Sequence, residues 1–465
     1  MLLSTALRLG PSEVVALVGG GGKTTTMFRL AAEIVAGGGR VVTTTTTRIF
    51  AAQIALAPRH VVVPADPAAW PAALAALAAA LTEAGQVLAI GAVEPESGKA
   101  LGVPVEFIAH LRALPGAPTV VLEADGSRMR PFKAPGPHEP VIPPATTLVV
   151  PVVGADVLGA PLDDGRVHRP ELVAQLAGVS LGSTLTPELV ARVLAHPQGG
   201  LQGVPPSARV VVLVNKVDRL ADLAPARDLA ARLVASPAIS GVALGAVATD
   251  SPVREAWGGV AAVVLAAGRS TRMGQPKQLL PWPGGTMLGA VVRRLQASPV
   301  SRIVVVTGHE QAAVTAAAQA AADPAGPPVV FVHNPDFAVS EMARSLQAGL
   351  AALPATEQAV LVALADQPHL EPAVVAQVVA RWRATRAPVV APFFNGQRGH
   401  PMLFDRAVFP LIRALPPEAN PRQLLQQAGP PEPVPVETDA ILRDLDTPEA
   451  YAAALAEQTP KRSLV

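Results

Sequence analysis

Val263-Val264-Leu265-Ala266-Ala267-Gly268-Arg269-Ser270-Thr271-Arg272-Met273-Gly274-Gln275-Pro276-Lys277 is the stretch on which the reading of this chain turns. An apolar run of strand type passes into three small residues and then into spaced cations. The small residues Ala266, Ala267 and Gly268 let a nucleotide come close to the main chain, because a larger side chain would push it away. Arg269, Arg272 and Lys277 can then surround a triphosphate, the arginines by forked hydrogen bonds and the lysine as a point charge. The alternative is an ordinary strand-to-helix turn with solvated basic residues. Agreement along the whole stretch is much harder to meet by chance than a lone glycine triplet.

Outward from this stretch, short Val-rich runs alternate with longer Ala/Leu/Arg segments, the pattern of parallel strands joined by crossover helices. Strands are expected at 14–18, 40–44, 119–122, 147–152 and 210–214 in the first half. A second set is expected at 261–265, 303–307, 329–332, 359–364 and 389–392. Each set has a glycine-rich loop directly after its first strand, which is how an independent nucleotide-binding α/β domain begins. The expected architecture is therefore α/β with two domains, 1–256 and 260–465, meeting near 257–259. The Ala-rich stretches 73–81 and 312–322 are read as helices, since Ala is the best helix former.

The bulk numbers agree with two globular domains and remove several function classes. A chain of 465 residues, half of them hydrophobic, is too long for one ordinary core. Its 37 basic and 36 acidic residues nearly cancel, which argues against a protein that coats nucleic acid. The absence of cysteine excludes disulfides, thiolate metal sites and thiol catalysis. Residues 1–10 are too short and too weakly apolar for a signal peptide, and the long apolar stretches are broken by Pro, Gly or charge. A cytoplasmic protein with neither a membrane nor a nucleic-acid partner is expected.

Further candidates follow in the second half. Asp366 comes directly after the apolar run 359–364, at the carboxyl end of an expected central strand, where open α/β sheets bind ligands. A carboxylate there can hold Mg²⁺, or Mn²⁺ in its place, against phosphates; the competing role is a helix cap. Asp444 and Asp446 are candidates for a second metal carboxylate, with capping of a final helix near Thr447 as the alternative. His400 lies in a Gly- and Pro-bounded loop, 396–401, and either contacts an acceptor substrate or shapes the loop.

The stretch from Leu265 to Lys277 resembles the signature of the molybdenum cofactor nucleotidyltransferases, LAAGxSxRMGxxK. The likeness continues through Asn334-Pro335-Asp336, Ser345 to Leu350, Ala365-Asp366-Gln367-Pro368, Gly399-His400-Pro401 and Asp444 to Glu449. It implies a Rossmann-like domain of glycosyltransferase-A type in which Leu265 to Arg269 bind the nucleotide and Arg272, Lys277 and Asp366 serve catalysis. It also implies in-line transfer of a nucleotidyl group with release of pyrophosphate, chemistry that relies on position and charge neutralisation. Ala266-Ala267 with Gln275-Pro276-Lys277 is similar to the cytidylyltransferase (MocA-like) branch, so CTP is the expected donor and molybdenum-bearing molybdopterin the expected acceptor. A sugar phosphate is the alternative acceptor.

The first half carries a second constellation. The strand candidate 14–18 leads into Gly19-Gly20-Gly21-Gly22-Lys23-Thr24, whose backbone amides, lysine and hydroxyl suit phosphate and Mg²⁺. Leu17 stands where a Walker A loop has its first glycine, so the loop is P-loop-like with altered spacing. Glu123 and Asp125 follow another strand candidate, as a Walker B-type acid would, and Asp125 with Thr24 is read as a metal pair. Asn215-Lys216-Val217-Asp218 matches the guanine-reading NKxD loop, so GTP or ATP is the expected ligand. This half resembles the YqeC-like accessory proteins of selenium-dependent molybdenum hydroxylases through Gly19 to Thr25, Thr43 to Arg48, Glu123 to Arg128, Lys133 to Pro135 and His138 to Pro143. That resemblance implies an apo molybdenum hydroxylase as a partner, with a nucleotide-dependent scaffold as the non-enzymatic alternative. Fusion of the two halves would keep successive maturation steps at high local concentration.

Overall fold

A computed structural model describes residues 1–458 apart from 95, 271–272, 339–341, 355–356, 417–418 and 420, with the side chains of 421 and 422 also left aside. The chain divides into two compact units, Met1–Trp257 and Gly258–Val465. Both are layered α/β structures in which strands buried on both faces lie between helices. Among the described residues no helix is long and apolar enough to cross a membrane.

The first unit is built on nine strands: β1 (Val14–Gly19), β2 (Val41–Thr45), β3 (His60–Val62), β4 (Gln86–Ile90), β5 (Thr119–Glu123), β6 (Leu148–Gly154), β7 (Arg209–Asn215), β8 (Gly241–Gly245) and β9 (Val253–Trp257). Their spatial order is β9-β8-β7-β6-β1-β5-β2-β4-β3. All neighbours are parallel except β8 and β9. Central β1 is bounded by β5, with Leu17 opposite Glu123, and by β6, with Gly19 opposite Val152. The order reverses at β1, so the carboxyl ends of β1 and β5 frame a crevice at a topological switch point. Helix α1 (Lys23–Ala36) starts in that crevice, buries Met27, Leu30 and Ala31, and runs back along the sheet.

The second unit contains β10 (Gly259–Ala266), β11 (Arg302–Thr307), β12 (Val329–His333), β13 (Glu357–Leu364), β14 (Val389–Phe394), β15 (Gln397–Arg398), β16 (Met402–Asp405) and β17 (Glu432–Pro435). They are ordered β12-β11-β10-β13-β16-β14-β15, with β17 parallel to β14. Strands β12, β11, β10 and β13 are parallel, whereas β16 runs antiparallel to both β13 and β14. Here the switch point lies between β10 and β13, and the segments beginning at Ala267 and Ala365 leave side by side. The strand runs expected from the sequence are all present, with ends that differ by one or two residues. Strands β3, β4, β8, β9, β15, β16 and β17 were not foreseen. Several are short edge strands, and β9 and β17 carry charge or proline that breaks an apolar run.

Candidate functional site

In the second unit, the loop after β10 lines a solvent-open cleft of about 1030 Å³ with Leu265, Ala266, Ala267 and Gly268 on one side and Leu364, Ala365 and Asp366 on another. Among the described residues, a Cβ on Gly268 would meet no atom within 4 Å. Packing therefore does not require glycine there, and what a side chain would occupy is space in the cleft. The loop is tied from within. The Lys277 N–H donates to Ser270 Oγ at 3.0 Å, and the Ser270 hydroxyl donates to Gln278 Oε1 at 3.3 Å. The buried Gln278 amide donates in turn to the carbonyls of Ala266 and Gly268, each at 3.4 Å.

Lys277 Nζ donates to both Asp366 and Asp446, so one cation bridges carboxylates that are far apart in the chain. Burial lowers the Lys277 ammonium, but the Asp366 charge and the hydrogen bonds to both carboxylates outweigh it and raise it overall. Burial pushes the Asp366 carboxyl up against the opposing pull of Lys277. Asp444 is also pushed up by burial, while its hydrogen bond from Gln367 Nε2 at 2.6 Å opposes the shift. The Leu445 N–H donates to the Asp366 carbonyl at 3.2 Å and fixes the two acidic segments to each other. The capping alternatives lose their ground. Thr447 Oγ1 accepts from the Ala450 N–H at the start of helix Pro448–Gln458, and helix Pro372–Thr385 begins after Glu371.

Among the described residues, no three His, Cys, Asp or Glu side chains are grouped to hold a metal ion. Asp366 and Asp446 supply two hard oxygen donors, which fits a divalent cation completed by phosphate oxygens of a bound substrate. The remaining expected residues are more dispersed. Arg269 sits with its guanidinium 5.5 Å from the centre of the Phe337 ring, and Phe337 lines the cleft. Arg272 lies outside the described residues. His400 borders a separate apolar cavity of about 360 Å³ that shares only Met342 with the cleft. Burial lowers the His400 imidazole, and among the described residues its Nδ1 has no hydrogen-bond partner.

In the first unit, Gly21, Gly22, Lys23, Thr24 and Thr25 line a larger solvent-open cleft of about 1740 Å³ together with Glu123, Asp125 and Arg128. Gly21 has φ +83°, and a Cβ there would stand 2.3 Å from Gly154 N, so the loop closes against β6 only with glycine. Asp125 is a buried hub. It accepts from the Gly19 N–H at 2.9 Å and pairs with Lys23 at 3.1 Å and Lys133 at 3.0 Å. Glu123 instead accepts from the Thr24 hydroxyl at 2.6 Å. Burial pushes the Glu123 carboxyl up, against the Lys23 charge and the Thr24 hydrogen bond. The metal role expected of Asp125 therefore meets a carboxylate already held by two ammonium groups, and Glu123 is the acid next to Thr24.

Asn215 and Asp218 are placed differently from each other. The Asn215 amide is buried, donating to the Gly21 carbonyl at 2.9 Å and accepting from the Val247 N–H at 3.1 Å. Its neighbour Lys216 reaches the cleft wall and pairs with Asp156 at 3.3 Å. Asp218 is exposed in a short 3-10 turn and does not line the cleft. Asn215 thus ties the glycine loop to the segment at Val247.

Residues 15–171 match the YqeC protein family, and residues 262–432 match the MobA-like NTP transferase domain. A molybdenum cofactor cytidylyltransferase from Escherichia coli (strain K12) is 31% identical over 204 residues, which is 42% of this chain and 96% of the relative. The chain belongs to the MobA-like NTP transferase family. Its first unit carries a YqeC domain, for which an uncharacterized YqeC protein of the same organism is 37% identical over 119 residues. That match covers 26% of this chain and 46% of the relative, so it spans about half the relative's length. The crystal structure of Rv0371c from Mycobacterium tuberculosis H37Rv is 29% identical, covering 43% of this chain and 98% of that one with a TM-score of 0.37.

Both families resembled in the sequence are thus present. Within the transferase unit, Ser270, Gln278 and Gln367 hold the cleft in shape, yet no role was read for them. Their signal was weak, since a polar residue beside a catalytic-type residue looks like ordinary loop chemistry. Asn334 and Gln347, which lie in the resembling segments, serve the packing. Asn334 donates to Ser345 Oγ at 3.0 Å, and Gln347 donates to the carbonyls of Ile412 and Leu415. In the YqeC domain, Gln53 was missed. It donates to Thr24 Oγ1 at 3.3 Å and accepts from the Phe50 N–H at 3.2 Å, joining a segment without a motif to the glycine loop.

Proposed function

We propose that the transferase unit moves CMP from CTP to a terminal phosphate of molybdenum-bearing molybdopterin and releases pyrophosphate. The observation that carries this reading is Lys277 bridging Asp366 and Asp446 beneath the Ala266–Gly268 loop, in a unit that spans nearly all of a cytidylyltransferase relative. A phosphate oxygen of the acceptor forms a bond to the α-phosphorus of CTP as the bond from that phosphorus to the bridging oxygen breaks, and pyrophosphate departs. Ala266, Ala267 and Gly268 allow the nucleotide against the main chain. Lys277 supplies positive charge to the phosphates, and Ser270 and Gln278 hold the loop that positions it. Asp366 and Asp446 would hold a divalent cation, Mg²⁺ or Mn²⁺, which when bound neutralises phosphate charge. Bound at Gly21 to Thr24 of the YqeC domain, a second phosphorylated ligand would sit beside Glu123.

Pyrophosphate release from the purified full chain tests this, with Mg²⁺, molybdenum-loaded molybdopterin and CTP, GTP or ATP in turn. CTP-dependent release that Asp366→Ala removes supports the reading. Release only with a sugar phosphate as acceptor would keep the nucleotidyl transfer and overturn the acceptor. Equal release with all three triphosphates would overturn the base preference.

A further inference from the structure

The cleft of the YqeC domain, about 1740 Å³, is larger than a phosphate site requires, and its lining mixes charged and apolar groups. The lining includes the glycine loop, Thr24 and Asp125, whose side chain is 2% exposed and whose Oδ1, paired with Lys23, accepts no hydrogen bond among the described residues. It also includes Ile49, Phe50, Gln53, Lys99, Arg128 and Met129. Phe50 is 51% exposed and Met129 85% exposed, although most large apolar side chains of this unit are buried. Two loops of separate origin thus bring bare apolar side chains to one cleft. Lys99 Nζ lies 5.8 Å from the centre of the Phe50 ring, which leaves the ring bordered by positive charge. Gln53 joins these groups, taking the Phe50 N–H and giving its amide to Thr24. In the loop expected to read the base, both ends of the Asn215 amide serve Gly21 and Val247, and Asp218 is not among the residues that line the cleft.

We infer that the YqeC cleft binds a nucleoside triphosphate whose flat base rests against Phe50 and Met129, and not on the Asn215–Asp218 loop. The inference depends on the reading of Gly21 to Thr24 as a phosphate seat. A base has an apolar face for Phe50 and Met129 to cover, and the phosphates match the glycine loop with Lys23 in charge. Reading by stacking alone is tolerant of the base, so the site takes ATP and GTP with similar affinity.

The test is photo-crosslinking of the full chain with 8-azido-ATP and 8-azido-GTP, with the labelled peptides mapped by mass spectrometry, beside calorimetric titration with tripolyphosphate as a probe lacking a base. Label is expected on 47–53 and 126–130, and tripolyphosphate should compete for it. Phe50→Ala should weaken nucleotide-dependent labelling there roughly tenfold and leave tripolyphosphate binding unchanged. Met129→Ser should act in the same direction, and the far-ultraviolet spectrum of each variant reports that it is folded. Label on 215–219 would overturn the inference, as would tripolyphosphate binding lost in Lys23→Ala with no nucleotide label in this unit. If tripolyphosphate binding is absent or indifferent to Lys23→Ala, the phosphate seat itself is wrong and the inference falls with it.

Discussion

Replacing Lys277 with methionine should make the transferase unit bind Mn²⁺ more tightly in the absence of nucleotide while making it a worse catalyst. The reasoning starts from the bridge between Lys277 Nζ and the carboxylates of Asp366 and Asp446. A divalent cation seeking those two acids has to displace the ammonium group that already neutralises them. A hydrogen bond between charged groups is worth about 1.5–3 kcal/mol. The Asp446 side chain is 41% exposed, so its bond is largely screened and is discounted. The Asp366 side chain is 10% exposed, and its bond is taken as about 2 kcal/mol. That corresponds to roughly a 30-fold gain in Mn²⁺ affinity for Lys277→Met. Methionine keeps most of the unbranched stem and removes the charge, so packing is little changed. In the wild type, CTP should supply phosphates for Lys277 and thereby strengthen Mn²⁺ binding, a coupling the variant should largely lose. Electron paramagnetic resonance of free Mn²⁺, titrated against the full chain at pH 8 with and without CTP, measures both quantities. Unchanged or weaker Mn²⁺ binding by Lys277→Met without nucleotide would refute the displacement argument. Asp366→Asn separates that failure from a mistaken metal seat, because it should abolish Mn²⁺ binding whatever occupies position 277.

Other expectations concern the YqeC domain. Asn215→Ala strands the Gly21 carbonyl and the Val247 N–H in a buried setting, for a cost of about 2 kcal/mol; calorimetry should show this unit melting roughly 4–8 °C lower, and an unchanged melting temperature would contradict the role of Asn215 as a tie. Glu139 is pushed up by burial, but Arg169 and Lys133 outweigh this and set it at about 2, below its ordinary 4.5. Its folded value is depressed, so its contribution to stability is fully present above pH 4.5 and is lost as pH falls toward 2. Urea midpoints of wild type and Glu139→Gln should therefore differ most above pH 4.5 and converge near pH 2, and a gap independent of pH would count against the pairing. Gly21→Ala should disrupt the loop, since a Cβ would stand 2.3 Å from Gly154 N at φ +83°; retention of tripolyphosphate binding by that variant would show that the loop tolerates a different path.

Local pattern made the framework of this protein readable from its sequence. The Val-rich runs at 14–18 and 261–264 are buried on both faces, so burial leaves an unbroken apolar signature, and the glycine or alanine that follows marks where the chain must turn tightly. Asp366 could be placed at a strand end for the same reason, because the run 359–364 precedes it directly. Tertiary structure alone decided the partnerships. Lys277 meets Asp366 across 89 positions and Asp446 across 169, and no periodicity carries information over such separations. Asp125 and Glu123 look interchangeable in a string of letters. Their different work follows from where the strand stops: Glu123 ends β5 and meets Thr24, whereas Asp125 lies past the strand end, and only the fold determines that it meets Lys23 and Lys133. The Asn215 loop shows the same limit: its letters suit a base reader, but its two amide hydrogen bonds go to Gly21 and Val247, groups that only the folded sheet brings to it.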